Sequence, residues 1–156
     1  MSQRINYIKA SPAAYQAMLA LQATVDKSGL EKSLVELLKI RASQINKCAF
    51  CLHMHTKDAR KAGETEERIY LLDAWRESSF YSARERAALA WTEALTLLPQ
   101  QGAPDDVFAE MRAQFSEAEI VNVTLAIGAI NAWNRIGVGF ALQHPHAVAK
   151  AVAVQG

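Results

Sequence analysis

Apolar residues recur at steps of three and four positions through most of the chain. Leu34, Leu37 and Leu38 show this spacing in one segment, and Ala90 and Ala94 show it in another. Such steps place side chains on one face of an α-helix, so the pattern predicts a series of amphipathic helices. We find no run of alternating β-branched residues between turn signals, and the sequence therefore predicts an all-α fold.

Capping and turn signals divide this pattern into about seven or eight helices. Segments 82–85 and 116–119 both read Ser-x-x-Glu, the capping box of a helix N-terminus. Ser11–Pro12 reads as a cap and a preferred first helical residue. Gly29 and Gly63 follow periodic segments, where a left-handed terminating residue is favoured. The predicted helices span residues 11–27, 31–45, 48–62, 65–77, 83–98, 104–114 and 116–142, with a short one after Pro145.

The segment 116–142 is apolar on nearly every face of its predicted helix. Such a helix lies in the centre of a domain or is covered by another subunit. Gly128, Gly137 and Gly139 lack a Cβ atom and would let another helix approach the backbone closely. We expect tight packing at these glycines and no phosphate loop, because no strand precedes them.

Three polar residues form a strip on this apolar helix: Asn131, Asn134 and Arg135 have the i, i+3 and i+4 spacing of one face. The strip could contribute to a site or a subunit contact that faces the cysteines. It could also form hydrogen bonds across a packed interface. We favour the second interpretation, because buried polar groups are normally paired.

The composition narrows the class of protein. The chain has 156 residues, 51% of them hydrophobic and 21% charged, and its formal net charge is +1. This length and composition fit one globular domain over residues 1–156. A nearly neutral chain without a basic run argues against nucleic acid and anionic lipid as partners.

The distribution of apolar residues also predicts the location of the protein. The N-terminal stretch has no apolar segment long enough for a signal peptide. Polar residues interrupt the segment 120–142, so we expect no membrane span. The cytoplasm is therefore the expected location. Because the cytoplasm is reducing, two neighbouring cysteines are poor candidates for a static structural disulfide.

The segment NKCAFCLHMH, residues 46–55, contains both cysteines of the chain and two of its four histidines. On a helix, Cys48, Cys51 and His55 fall within an arc of about 60°, whereas His53 lies about 200° from Cys51. One face therefore carries two thiols and an imidazole. This clustering makes the segment the principal candidate site.

These three groups provide the chemistry of a dithiol redox cycle. A thiol with a pKa near its reference value of about 8.5 is mostly protonated at neutral pH, and only the thiolate attacks. A helix N-terminus and a nearby imidazole both stabilise a thiolate, and His55 can accept the proton of Cys51. The second thiol can then close a disulfide with the product that forms on the first.

Other interpretations of the segment remain open. A zinc site could use Cys48, Cys51, His53 and His55, although structural zinc sites normally take two ligands from a distant segment. The cysteines could also be inert residues of the core. Covalent haem attachment is excluded because Leu52, and not histidine, follows the second cysteine. A thioredoxin fold is excluded by the missing βαβ pattern.

The segment ELLKIRASQINKCAFCLHMHTKDARKAG, residues 36–63, resembles the core of the carboxymuconolactone decarboxylase-like proteins of the alkylhydroperoxidase D type. The family motif has a glutamate, eleven residues and then CxxCxxxH, and Glu36, Cys48, Cys51 and His55 match each spacing. The rest of the chain is only weakly similar. The resemblance implies a single-domain helical bundle that assembles as a homotrimer or homohexamer.

The resemblance also implies roles for four catalytic residues. Cys51 reacts with a peroxide and Cys48 resolves the product, while His55 takes the thiol proton and Glu36 orients it or relays protons through water. The alkylhydroperoxidase D subgroup has a histidine immediately before the second cysteine, where this chain has Phe50. One member of the proton relay is therefore absent, and the lipoyl-bearing partner of that subgroup is not carried over to this chain.

The sequence thus predicts a cytoplasmic, oligomeric thiol-dependent peroxidase that reduces hydroperoxides through a Cys48–Cys51 pair. An external dithiol or disulfide reductase would supply the electrons, and we expect no metal and no organic cofactor. One alternative is a non-catalytic oligomer that responds to redox state or binds a metal. Another is a cofactor-free decarboxylase of the wider family, whose activity would survive the loss of both cysteines.

Overall fold

The computed structural model describes residues 2–144, and every regular element in that range is helical. The expected all-α fold is therefore confirmed. The helix predicted after Pro145 lies outside the described residues. The α-helices are α1 Tyr7–Ala10, α2 Pro12–Asp26, α3 Lys32–Ile45, α4 Ala49–Lys61, α5 Glu66–Leu71, α6 Ala83–Thr96, α7 Leu98–Gln101, α8 Asp105–Gln114 and α9 Glu117–Gly139, and a 3₁₀ turn covers Leu72–Ala74.

Helix α3 forms the centre of the molecule. It packs against α4, α6 and α9, and the side chains of Leu37, Leu38 and Ile40 are completely buried. Burial of one such side chain stabilises the fold by about 2 kcal/mol. Helix α9 contacts α2, α3, α4, α6 and α8, which confirms its predicted central position.

Most of the predicted helix ends are formed by the expected local contacts. Both Ser-x-x-Glu segments make the full reciprocal capping box. Gly29 and Gly63 adopt φ angles of +81° and +97°, the left-handed region that favours glycine. Pro12 begins α2 as predicted, but the side chain of Ser11 makes no capping hydrogen bond. Each of these signals depends on residues within a few positions of one another, and so the sequence predicts it.

The helix predicted over 65–77 is shorter in the structure. It ends at Leu71 and tightens into the 3₁₀ turn. The guanidinium of Arg86 then donates hydrogen bonds to the carbonyls of Trp75 and Ser78. These carbonyls accept from a side chain on α6, and the chain folds back over the core.

Two further differences concern short helices. The helix predicted over 83–98 ends at Thr96, and α7 starts separately; Pro99 has no N–H with which to continue the α6 ladder. Helix α1 was not predicted. It is one turn long and has no buried residue, so it leaves no hydrophobic period in the sequence. No helix within residues 2–144 combines the length and the apolar character needed to cross a bilayer.

Candidate active site

The two cysteines lie at the tight turn between α3 and α4. Lys47 adopts a φ of +55°, which reverses the chain after α3, and Cys48 is the N-cap of α4. The Cys48 sulfur accepts a hydrogen bond from the backbone N–H of Cys51 at 3.4 Å. Both cysteines are buried, with 1% and 2% of their surface exposed. The prediction that they occupy the start of a helix is confirmed.

The two thiols have different acidities. The Cys51 thiol donates a hydrogen bond to the Cys48 sulfur, which lowers the pKa of Cys48 to about 6. The same hydrogen bond, together with burial, raises the pKa of Cys51. Backbone N–H groups at a helix N-terminus also stabilise an anionic sulfur. At neutral pH the pair therefore holds one proton and one negative charge between its two sulfurs.

Helix α9 covers the pair from the opposite side at Gly137. A Cβ atom on Gly137 would lie 2.7 Å from the Cys48 sulfur and 3.5 Å from the Cys51 sulfur. The predicted close approach is therefore confirmed at this glycine. It is wrong at Gly128 and Gly139, where a Cβ atom would meet no described atom within 4 Å.

Asn134 connects the sulfurs to the rest of the core. Its side chain is 1% exposed; its Nδ2 donates to Ser43 Oγ at 3.0 Å and its Oδ1 accepts from Asn46 at 2.9 Å. Hydrogen bonding by Asn134 lowers the pKa of both thiols. The hydrogen bonds of Asn134 cross the packed interface between α3 and α9, so the favoured interpretation of the polar strip is confirmed for this residue, which also contacts the thiols.

Glu36 and His55 form a couple between α3 and α4. Glu36 Oε2 lies 2.9 Å from His55 Nδ1, and Glu36 Oε1 accepts from Lys39 Nζ at 2.9 Å. Burial raises the pKa of the Glu36 carboxyl, but the His55 and Lys39 partners outweigh it and hold the pKa below its usual range. Because a carboxylate can only accept, Nδ1 of His55 carries a proton and Nε2 of the neutral ring is an acceptor.

A pocket of about 370 Å³ brings Cys51 together with this couple. Of the two cysteines, Cys51 lines this pocket and Cys48 does not. No direct hydrogen bond joins the Cys51 thiol to the His55 ring among the described contacts. The pocket walls are formed in large part by aromatic side chains, namely Tyr7, Tyr15, Phe50 and Trp133.

His53 lies apart from this site, as the helix geometry predicts. Its ring stacks on that of His144, with 4.8 Å between the ring centroids. In the described part of the chain, no group of three or more His, Cys, Asp or Glu side chains has a geometry that could hold a metal ion. A zinc site built from both cysteines, His53 and His55 is thus not formed here.

Three residues of the site were not assigned to it from the sequence. Lys39 follows Glu36 by three positions and shares its face of α3, a spacing that could have identified it. Asn134 was noticed, but its contact with Ser43 spans 91 positions of the chain. Tyr7 reaches the pocket from the N-terminal segment, and no sequence pattern near Tyr7 predicts that contact.

The fold and the site together define an all-helical protein with a dithiol pair beside a glutamate–histidine couple. The sequence model of the Carboxymuconolactone decarboxylase family matches residues 12–94. This range contains Glu36, both cysteines and His55, and it covers more than half of the chain. The chain therefore belongs to this family, and its fold is of the alkylhydroperoxidase D-like type, which confirms the resemblance.

Individual relatives agree with this assignment. The uncharacterized protein YdfG of Bacillus subtilis is 45% identical over 138 residues, or 88% of this chain and 94% of that protein. A crystal structure from Agrobacterium tumefaciens, of a protein of unknown function described as a candidate antioxidant defence protein AhpD, is 53% identical. It superimposes with a TM-score of 0.91 over 94% of this chain and 100% of that one. The debrominase Bmp8 has a TM-score of 0.80 over 88% of this chain and 74% of its own at 20% identity, which shows a shared fold alone.

Proposed function

We propose that the protein is a thiol-dependent peroxidase that reduces hydroperoxides through the Cys48–Cys51 pair. One observation carries the proposal: a hydrogen-bonded pair of cysteines lies at a helix N-terminus, and Cys51 lines the pocket that holds the Glu36–His55 couple. Two thiols in contact can supply the two electrons that reduce one peroxide bond, without a cofactor.

We place the first step on Cys51 because this cysteine lines the pocket. The proton of Cys51 passes to His55 Nε2 through water in the pocket, and Glu36 stabilises the resulting imidazolium. The Cys51 thiolate attacks the terminal oxygen of the hydroperoxide. The S–O bond forms, the O–O bond breaks, and the alkoxide takes a proton and leaves as an alcohol. Cys51 is then a sulfenic acid.

The low pKa of Cys48 suits it to the second step. Its thiolate attacks the Cys51 sulfur, the sulfenic oxygen takes a proton and leaves as water, and the disulfide closes. An external dithiol regenerates the pair by attack on Cys51 from the pocket, because the sulfur with the lower pKa, Cys48, is the better leaving group. The low pKa of Cys48 thus suits both its attack on Cys51 and its departure when the disulfide is reduced.

Similarity supports the same assignment at a coarser level. The relative from Agrobacterium tumefaciens, 53% identical, is described as a candidate antioxidant defence protein. The proposal includes assembly as a homotrimer or homohexamer and a cytoplasmic location, where a dithiol or disulfide reductase keeps the pair reduced. Sizing chromatography with and without reductant tests the assembly.

Turnover tests the proposal. Wild-type protein with excess dithiothreitol should consume cumene hydroperoxide catalytically, whereas Cys51→Ser should not. A disulfide or a bound metal without turnover would instead support the non-catalytic oligomer. Activity of a different kind that survives loss of both cysteines would support a decarboxylase-like enzyme. Either of these outcomes would overturn the proposed peroxidase.

A further inference from the structure

The N-terminal segment is fastened across the end of α9. The Arg4 backbone N–H donates to the Phe140 carbonyl at 2.9 Å, and the Arg4 guanidinium donates to the Gly139 carbonyl at 2.9 Å. Carbonyls at a helix C-terminus lack partners within the helix, and a cation is favoured beside them. These two hydrogen bonds fix the segment that leads into α1.

Tyr7 is held at the pocket by this segment and by its ring contacts. Its ring stacks on Phe140 at 6.1 Å and meets the edge of Tyr15 at 5.8 Å, both measured between ring centroids. Helix α1 itself buries no residue. The position of Tyr7 therefore depends on its anchors and not on the packing of its own helix.

Tyr7 belongs to the wall of the pocket that Cys51 also lines. Tyr7, Cys51 and His55 line the same pocket. Within residues 2–144 no hydrogen bond satisfies the Tyr7 hydroxyl, whereas the Tyr81 hydroxyl donates to the Arg68 carbonyl. A half-buried phenol without a protein partner is available to a ligand.

The charge balance keeps a proton on this phenol. Burial raises the pKa of Tyr7, and the charges of Tyr15 and Cys51 raise it further. The hydroxyl is therefore a donor when Cys51 becomes a thiolate. It is also the type of group that the reaction needs at this point, because Phe50 occupies the position where the related subgroup has a histidine.

We propose that Tyr7 is the general acid that protonates the departing alkoxide. This inference rests on the proposed peroxidase function. As the Cys51 sulfur bonds to the terminal oxygen and the O–O bond breaks, the Tyr7 O–H transfers its proton to the alkoxide oxygen, and the alcohol leaves. The phenolate recovers a proton from the His55 imidazolium through pocket water. His55 thereby returns the proton that it took from Cys51, and the cycle balances.

Leaving-group chemistry provides the test. Cumene hydroperoxide expels a strongly basic alkoxide, whereas peroxyacetic acid expels acetate, which needs no proton. We expect Tyr7→Phe to slow thiol oxidation by cumene hydroperoxide about 100-fold and oxidation by peroxyacetic acid less than about twofold. Tyr70→Phe is the matched control, because Tyr70 is 72% exposed and does not line this pocket. Rates are second-order constants for thiol loss on reduced protein, and circular dichroism confirms that each variant is folded.

Each outcome decides the inference. Selective loss with cumene hydroperoxide supports Tyr7 as the acid. Equal rates for wild type and Tyr7→Phe, or an equal decrease with both oxidants, overturn the inference and leave the peroxidase intact. Failure of the wild type to react with either oxidant overturns the peroxidase function itself, and the inference with it.

Discussion

Two carboxylates, Glu36 on α3 and Glu93 on α6, have similar surroundings. The side chains of Glu36 and Glu93 are 15% and 13% exposed. For both, burial raises the carboxyl pKa and the partners outweigh it, so both pKa values lie below the usual range. Burial and pKa alone therefore do not distinguish a functional carboxylate from a structural one.

The partners of the two carboxylates do distinguish them. Glu93 accepts hydrogen bonds from Arg41, Arg76 and the Trp75 indole. An arginine stays charged at any ordinary pH, so this cluster can brace α3 against α6 but cannot move a proton. Glu36 is bonded to a histidine, which can, and that histidine lines a pocket with a thiol. We therefore take a buried carboxylate as functional when its partner can gain or lose a proton and lies in a pocket beside a nucleophile.

The largest expected effect is on the reaction with peroxide. Glu36→Gln removes the charge that stabilises the His55 imidazolium, and we expect it to slow oxidation of Cys51 about 100-fold. Glu93→Gln should change this rate less than about twofold, because it touches no group in the pocket. Stopped-flow measurement of thiol loss on folded protein compares the two. Similar decreases in both variants would contradict the division into a functional and a bracing carboxylate.

The effects of the two substitutions on stability should have the opposite order, with Glu93→Gln more destabilising than Glu36→Gln. Glu93→Gln leaves Arg41, which is 13% exposed, with the exposed carboxylate of Asp73 as its remaining ion pair among the described residues, and we expect it to lower the free energy of unfolding by about 2 kcal/mol. Glu36→Gln should lower it by about 1 kcal/mol, because the amide oxygen still accepts a hydrogen bond and water reaches the pocket. Urea unfolding of both variants measures the difference. A larger decrease for Glu36→Gln would reverse the comparison.

The thiol pKa values predict a pH dependence for the reactions of the cysteine pair, and Glu93 has no part in it. The pKa of Cys48 is lowered to about 6, so the charged pair exists above this pH and is lost as the pH falls through it. The rate of disulfide closure, in which Cys48 attacks as a thiolate, should fall about tenfold per pH unit below that point. Asn134→Leu should move the midpoint upwards because Asn134 lowers both thiol pKa values. Glu93→Gln should leave the midpoint unchanged.

The sequence predicts well what depends on neighbouring residues. Both capping boxes and the left-handed Gly29 and Gly63 are formed by contacts within a few positions. The CxxCxxxH spacing likewise indicates which groups share one helix face. Helix period and short-range capping thus account for most of the fold and for the arrangement of both cysteines and His55.

The missing parts of the site depend on contacts between distant segments. Tyr7 enters the pocket because Arg4 bonds to the end of α9, 135 positions away. Gly137 and Gly128 are equivalent in sequence terms, yet only Gly137 faces the sulfurs, because the rotation of α9 is set by packing against four other helices besides α4. Glu36 itself was recognised only through the family motif, since a carboxylate on a helix has no local mark of function.

The smallest expected effect is the difference between alanine substitutions at Gly137 and Gly128. In Gly137→Ala the new Cβ atom would press on the Cys48 sulfur at 2.7 Å, and we expect a loss of about 1 kcal/mol of stability and slower disulfide closure. Gly128→Ala is the matched control in the same helix, with open space at its Cβ position. It should gain about 0.5–1 kcal/mol from helix propensity. Thermal unfolding and the rate of disulfide formation report both; a stabilised, fully active Gly137→Ala would show that the sulfurs do not lie against α9.

Intact mass spectrometry tests the central claim, that Cys51 is oxidised first and Cys48 resolves it. Each reduced protein receives one equivalent of cumene hydroperoxide. Wild type should lose the mass of two hydrogens, Cys48→Ser should gain one oxygen that a sulfenic acid reagent traps on Cys51, and Cys51→Ser should stay unchanged. An unchanged wild-type mass, or an oxygen trapped on Cys48 in Cys51→Ser at the wild-type rate, would contradict the account.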